Sequence, residues 1–107
     1  MRNSFYKVTF LAGCPEEGEE YIMNNYDLKL LNKVYFNHDE KEKSVVSFIF
    51  KNEKEEIWVK VLNAFDVGSI SEGCKSLVRI LEKAGFEKDS VEKISRADKK
   101  YVFAIEK

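Results

Sequence analysis

The sequence is poor in residues that break regular structure and in residues that carry catalysis. Its 107 residues include only 1 Pro, 5 Gly, 2 Cys and 1 His. Because no stretch is rich in Pro, Gly or Ser, nothing resembles a linker, and we expect residues 1–107 to form a single domain. Long apolar runs are missing too. No run approaches the length of a membrane span, and Lys7 and Thr9 interrupt the apolar residues near the N-terminus. We therefore expect no signal peptide, no membrane span and a cytoplasmic location.

The scarcity of Cys and His limits the chemistry that the chain can perform. Cys14 and Cys74 lie far apart without a CxxC spacing, so no metal-ligand pattern is present. The only histidine, His38, opens the charged segment HDEKEK, whereas Ser/His/Asp or Cys/His catalysis needs a histidine in the interior or in a cleft. The sequence therefore favours a protein that is not an enzyme, with no catalytic residue, no metal and no cofactor. Two free thiols also fit a reducing compartment.

An excess of one charge is also missing. The chain has 18 Lys+Arg against 19 Asp+Glu, which gives a net charge of −1. A domain that mainly neutralises phosphates would show a basic excess, and a mimic of nucleic acid would show an acidic one. Apolar residues make up 44% of the chain and aromatic residues 13%, which is ample for one core and excludes disorder.

Hydrophobic periodicity predicts an α+β fold with a mostly antiparallel sheet. We expect about six strands, at residues 5–12, 28–37, 44–51, 57–65, 90–95 and 101–106, and two helices, at about 15–25 and 70–84, on one face of the sheet. The element order would then be strand, helix, strand, strand, and the same again. This order suggests a duplication with halves 1–53 and 54–107.

The helix at about 70–84 has the clearest pattern. Ser69 and Glu72 fit an S-x-x-E capping box at its start. Apolar side chains from Cys74 onward recur at helical spacing, which predicts that Cys74 is buried. Gly85 fits the left-handed position after the last turn, and Phe86 fits the apolar contact that accompanies it.

The strand at 57–65 is apolar on both sides. Ile57, Val59 and Val61 share one side, and Trp58 and Leu62 share the other. If the helices cover only one face of the sheet, the second side is exposed, which indicates an interface. We expect four residues to contact a partner: Trp58, Leu62, Tyr6 and Tyr101.

Many aromatic residues fall on the predicted strands, which leaves a second interpretation open. Where such residues stand on an open sheet beside lysines, nucleic-acid bases can stack on them. The lysines that would serve are Lys7, Lys33, Lys60 and Lys100. No RNP-like motif is present, and aromatic residues on strands more often belong to the core.

The second half of the chain also resembles a known family in layout. It has a W-x-K-V strand, a helix ending in A-G-F, and a following pair of strands. This layout is similar to the C-terminal part of the wybutosine-synthesis tRNA methyltransferases. The residues that carry it are Trp58, Lys60, Val61, Ala84, Gly85 and Phe86. The resemblance implies association with tRNA, but the Ser/Cys-rich signature of that family has no counterpart here, so no functional residue is carried over.

Together these patterns predict a small, non-catalytic protein-binding module. An inhibitor, an immunity, antitoxin-like or phage-encoded anti-defence protein, or an adaptor subunit would fit, with a protein as the partner. The alternative is an RNA- or tRNA-associated binding protein. A homodimer formed through the exposed sheet face or an edge strand is compatible with either.

Overall fold

The computed structural model describes residues 4–38, 44–66, 71–96 and 103–107. The strands are β1 (Ser4–Leu11), β2 (Leu31–His38), β3 (Ser44–Lys51), β4 (Glu55–Leu62) and β5 (Phe103–Glu106), and the helices are α1 (Pro15–Asn25), α2 (Glu72–Ala84) and α3 (Lys88–Arg96). A short 3-10 turn, Leu28–Leu30, precedes β2. No helix in these ranges is long and apolar enough to cross a membrane.

The strands form a single mixed sheet in the order β1-β4-β3-β2-β5. The edge strand β1 runs parallel to β4, and the other three neighbouring pairs are antiparallel. The α+β class is therefore confirmed. Within the described residues the sheet has five strands rather than about six. It is mixed because the chain crosses from β1 to β2, on the far side of the β2-β3-β4 meander, and the meander then returns to place β4 parallel to β1.

All three helices pack on the same face of the sheet. One apolar cluster joins Ile22 of α1, Leu77 of α2 and Ile94 of α3 to strand residues such as Phe48 and Val59. Aromatic contacts extend this core towards the edge strand, where Phe10 stacks on Tyr21 at a centroid distance of 4.0 Å. Burial of this apolar surface is the main stabilising contribution to the fold.

The prediction of a strand at 90–95 is wrong, because these residues lie within α3. Val91 and Ile94 are both buried in the core, and their spacing of three residues belongs to one face of a helix. A strand would place them on opposite faces. The second half of the chain thus reads strand, helix, helix, strand, which removes the basis for the predicted duplication.

The C-terminal end of α2 agrees with the prediction, whereas its N-cap differs from the prediction. Ser71, rather than Ser69, is the N-cap, and its hydroxyl accepts a hydrogen bond from the Cys74 amide at 3.3 Å. Ser69 lies outside the described residues. Gly85 has φ 87 in the left-handed region, and Phe86 is buried, as predicted. Cys74 is buried, which confirms its place in the core.

Two other strand boundaries differ from the prediction. The prediction began a strand at Leu28, but a 3-10 turn occupies Leu28–Leu30 because the Asp27 carboxylate accepts a hydrogen bond from the Lys29 amide at 3.0 Å. The strand expected at 57–65 ends at Leu62, because Asn63 adopts φ 63 and turns the chain. Beyond it, Ala64 and Phe65 enter the core under α1.

Candidate functional site

The candidate site is the face of the sheet opposite the helices, which we call the open face. Side chains alternate along each strand, so Val59 and Val61 of β4 enter the core whereas Trp58 and Lys60 lie on the open face. The strand register extends this assignment across the sheet. The members of the open face are Phe5, Lys7, Thr9 and Leu11 of β1, Glu56, Trp58, Lys60 and Leu62 of β4, Val45, Ser47, Ile49 and Lys51 of β3, Lys33, Tyr35 and Asn37 of β2, and Ala104 and Glu106 of β5.

A chain of three aromatic rings crosses the open face. The ring of Trp58 lies 5.9 Å from that of Phe5 on one side and 5.9 Å from that of Tyr35 on the other, measured between centroids. Because β3 lies between β4 and β2, the contact with Tyr35 passes over β3. Ile49 of β3 is only 4% exposed although it is not part of the core cluster. The open face therefore has a small apolar layer of its own.

A carboxylate on the same strand holds the Trp58 ring in place. The indole N–H donates to Oε2 of Glu56 at 2.8 Å. Glu56 lies two residues before Trp58, so both side chains leave the same face of β4. The Lys51 ammonium on β3 lies 3.9 Å from the other oxygen of Glu56. The ring is thus oriented by a charge-assisted hydrogen bond and not by packing alone.

Lysines outnumber glutamates on the open face by four to two. Lys33 lies 4.7 Å from the centroid of Tyr35 and forms a 3.0 Å ion pair with Glu106. The hydrogen bond with Tyr35, and then that with Glu106, raises the pKa of Lys33. Lys7 and Lys60 make no ion pair within the described ranges. Both flank Trp58, so the uncompensated positive charge of this face lies beside its largest apolar group.

Three aliphatic side chains lie side by side at one end of the open face, next to Asn37 of β2. Leu62 of β4 lies between Leu11 of β1 and Val45 of β3 in the register of the sheet. Leu11 is 70% exposed, and Leu62 and Val45 are partly buried. The polar row of Thr9, Lys60 and Ser47 separates these three side chains from Trp58, so they form a second, smaller apolar group on the open face.

The structure separates the four predicted contact residues. Trp58 and Leu62 lie on the open face, as the sequence predicts. Tyr6 is half exposed but lies on the helix side of β1, in phase with Phe10, and Tyr101 lies outside the described residues. The sequence reasoning missed Phe5 and Leu11, although both alternate in phase with Lys7 and Thr9 and so belong to the exposed side of β1.

A second concave surface lies between α1 and α2. This groove of about 580 Å³ is lined by Cys14, Met23 and four glutamates, together with Arg79. Arg79 is already engaged, because its guanidinium binds the Glu19 carboxylate at 2.7 Å and the Ser76 hydroxyl at 3.1 Å. The hydrogen bond from Arg79 lowers the pKa of Glu19. In the part of the chain that the structure describes, no three His, Cys, Asp or Glu side chains are placed to hold a metal ion.

Comparison of the chain with protein-family models, with curated proteins and with solved structures gives no match. The resemblance of residues 57–106 to the tRNA methyltransferases stays a prediction.

Proposed function

We propose that this protein is a non-catalytic binding module whose open face docks onto the surface of another protein. The observation that carries the proposal is the apolar strip on the open face, with charges of both signs around it. It is formed by Phe5, which is exposed, and by Trp58 and Tyr35, which are partly buried. A central apolar cluster with a polar rim is the anatomy of protein interfaces, and Trp and Tyr are frequent among their energetic centres.

The charges define the chemistry of the partner. Lys33 and Lys51 are matched by carboxylates of this chain, whereas among the residues that the structure describes Lys7 and Lys60 have no carboxylate partner. The complementary surface therefore has an apolar centre that receives Trp58 and acidic groups that meet Lys7 and Lys60. Such a module acts by binding to the surface of its partner, as an inhibitor, an immunity or anti-defence protein, or an adaptor subunit does.

Binding of RNA is the second candidate. It is favoured by one specific observation: Lys7, Lys33 and Lys60 share the open face with three aromatic rings. Bases would stack on the rings, and the lysines would contact phosphates. Two features favour a protein instead. Glu56 and Glu106 repel phosphates, and the aliphatic end at Leu11, Leu62 and Val45 has no use in base stacking.

A tagged pull-down with and without nuclease separates the two candidates. The wild-type chain is compared with Trp58→Ala and Lys60→Glu on the open face, and with Lys88→Glu at the start of α3 as the matched control for charge. We expect a protein partner that survives nuclease. Trp58→Ala should weaken its binding about 30-fold or more, as for the truncation of a central interface residue, while Lys88→Glu leaves binding unchanged.

Two results would contradict the proposal. If Trp58→Ala and Lys88→Glu bind the partner equally well, the open face is not the docking surface. If RNA copurifies and all partners are lost with nuclease, the second candidate is correct. Its affinity should then fall steeply with salt.

A further inference from the structure

The edge strand β1 holds all the strongly exposed large apolar side chains of the described residues. These are Phe5 at 50%, Tyr6 at 51% and Leu11 at 70% exposure. Phe5 and Leu11 lie on the open face and Tyr6 lies on the helix side, so both sides of this strand are apolar and accessible. A partner that lies on only one face of the sheet cannot cover them all. A strand added beside β1 can.

The hydrogen-bonding groups at the free edge of β1 follow from its pairing with β4. The Ser4 amide donates to the Lys54 carbonyl at 3.0 Å, and the Ala12 amide donates to the Leu62 carbonyl at 3.0 Å. In a strand, the N–H and C=O of one residue point to one side, and those of the next residue point to the other. Because Ser4 and Ala12 bond to β4, the even-numbered residues of β1 all direct these groups towards β4. The amides and carbonyls of Phe5, Lys7, Thr9 and Leu11 therefore point outward.

We propose that a second copy of this chain pairs with that edge, β1 antiparallel to β1, with the two Val8 residues at the two-fold axis. The product is a continuous ten-stranded sheet with all helices on one face and both open faces on the other. This inference goes beyond the docking of the open face and does not depend on it.

The register follows from which residues the pairing places opposite each other. With Val8 at the axis, Phe5 meets Leu11 of the second copy and Tyr6 meets Phe10. All four outward-pointing residues then lie in hydrogen-bonded pairs, with Lys7 opposite Thr9. A shift of one residue would pair an outward residue with an inward one and break the ladder.

The neighbouring even registers are less favourable. The register centred on Lys7 places the two ammonium groups directly opposite each other, where like charges repel. The register centred on Thr9 leaves Phe5 without an outward-pointing partner. Only the pairing about Val8 covers every exposed apolar group of β1 with another apolar group. This self-complementarity favours a second copy over an unrelated strand, because a two-fold interface needs one surface that matches itself.

Cysteine cross-linking tests the register directly. In a Cys14→Ser background, Val8→Cys would place two thiols in a non-hydrogen-bonded pair with Cα atoms about 4.5 Å apart, within the range of a disulfide. Mild oxidation should give a covalent dimer of Val8→Cys and little of Lys7→Cys. Efficient cross-linking of Lys7→Cys alone, or of neither variant, would overturn the proposed register.

A backbone variant tests the interface itself by analytical ultracentrifugation. Thr9→Pro removes an amide that points outward and leaves the β1–β4 ladder intact, a position where edge strands tolerate proline. Two hydrogen bonds are lost per dimer, so the dissociation constant should rise about 30-fold or more. Thr9→Val keeps the amide and is the matched control.

The outcomes separate this inference from the proposed function. A wild-type chain that sediments as a monomer at high micromolar concentration, or a Thr9→Pro variant that stays dimeric, would overturn the dimer. If circular dichroism shows that Thr9→Pro does not fold, the cross-linking of Val8→Cys and Lys7→Cys decides whether the dimer forms. Thr9→Pro and the cysteine variants test the dimer, whereas Trp58→Ala tests the docking of the open face, so either proposal can fail alone.

Discussion

Trp58 donates its indole N–H to the carboxylate of Glu56 at 2.8 Å, two residues earlier on the same side of β4. This bond fixes the ring between Phe5 and Tyr35, where it forms the centre of the open face. Because Trp58 is the only tryptophan of the chain, its fluorescence reports on the candidate site alone.

Loss of the carboxylate should loosen the indole ring. In Glu56→Ala, the N–H of Trp58 loses its acceptor, and we expect acrylamide to quench Trp58 more efficiently than in the wild type. The Stern–Volmer constant measures this change. Glu106→Ala is the control, since it removes a carboxylate from the same face that does not bond to the indole. Equal quenching in Glu56→Ala and the wild type would show that the hydrogen bond does not orient the ring.

Truncation of a core residue should lower the free energy of unfolding more than truncation of a residue on the open face. Phe48 is fully buried and packs edge-to-face against Phe65 at a centroid distance of 5.4 Å. Phe48→Ala should lower the free energy of unfolding by about 3–5 kcal/mol. Leu62→Ala, on the open face, should cost only about 1 kcal/mol. Urea unfolding of both variants checks this difference, and a comparable loss for the two would mean that the open face is part of the core.

The ion pair between α1 and α2 should make stability depend on pH. Arg79 lowers the pKa of Glu19 below its ordinary value of 4.5. The carboxylate therefore stabilises the fold above about pH 4.5, and this contribution is lost as the pH falls through the lowered pKa of the folded state. Glu19→Gln should melt about 2–5 °C below the wild type at neutral pH, and the gap should close in acid.

Thermal melts of Glu20→Gln provide the control for that prediction, because this variant removes the neighbouring, exposed carboxylate of the same helix. Its melting temperature should follow the wild type at every pH. A gap between wild type and Glu19→Gln that persists in strong acid would show that the side chain acts through packing instead.

Gly18 should be required in α1 although glycine is unfavourable within helices. A Cβ on Gly18 would lie 2.5 Å from the Cβ of Ala64. Gly18→Ala should therefore destabilise the protein by about 1–3 kcal/mol, whereas at an open helix position the same change stabilises by up to about 1 kcal/mol. In the Ala64→Gly background the cost should be smaller, which a double-mutant cycle measures. A stabilising Gly18→Ala would contradict the close packing.

The sequence predicted those elements whose local pattern agrees with their tertiary surroundings. The caps and apolar stripe of α2 are local features, and so are the proline and acidic residues that begin α1. The pattern in α3 is ambiguous because the predicted strand covered only six residues, 90–95. The spacing of three between Val91 and Ile94 indicates a helix, but two apolar residues are too few to distinguish this spacing from the alternation of a strand. The parallel pairing of β1 with β4 depends on a crossover, which no local pattern specifies.

Only those parts of the open face that depend on a local pattern could be predicted from the sequence. Alternation within β4 places Trp58 and Leu62 together, and the structure agrees. The placement of Phe5 beside Trp58 requires the pairing of β1 with β4, and the contact of Trp58 with Tyr35 requires the order of three strands. Tyr6 lies in phase with Phe10 on the side of β1 that faces the helices, so this predicted contact residue does not belong to the open face.

Site-specific photocross-linking, in the cells that produce this protein, tests directly whether the open face docks onto another protein. A photoreactive benzoylphenylalanine would replace Leu62 on the open face or, as a control, Lys75 on the exposed side of α2. We expect a protein adduct from position 62 that is lost when Trp58→Ala is added, and none from position 75. An adduct from position 75 alone, or one from position 62 that persists with Trp58→Ala, would show that the open face is not the docking surface.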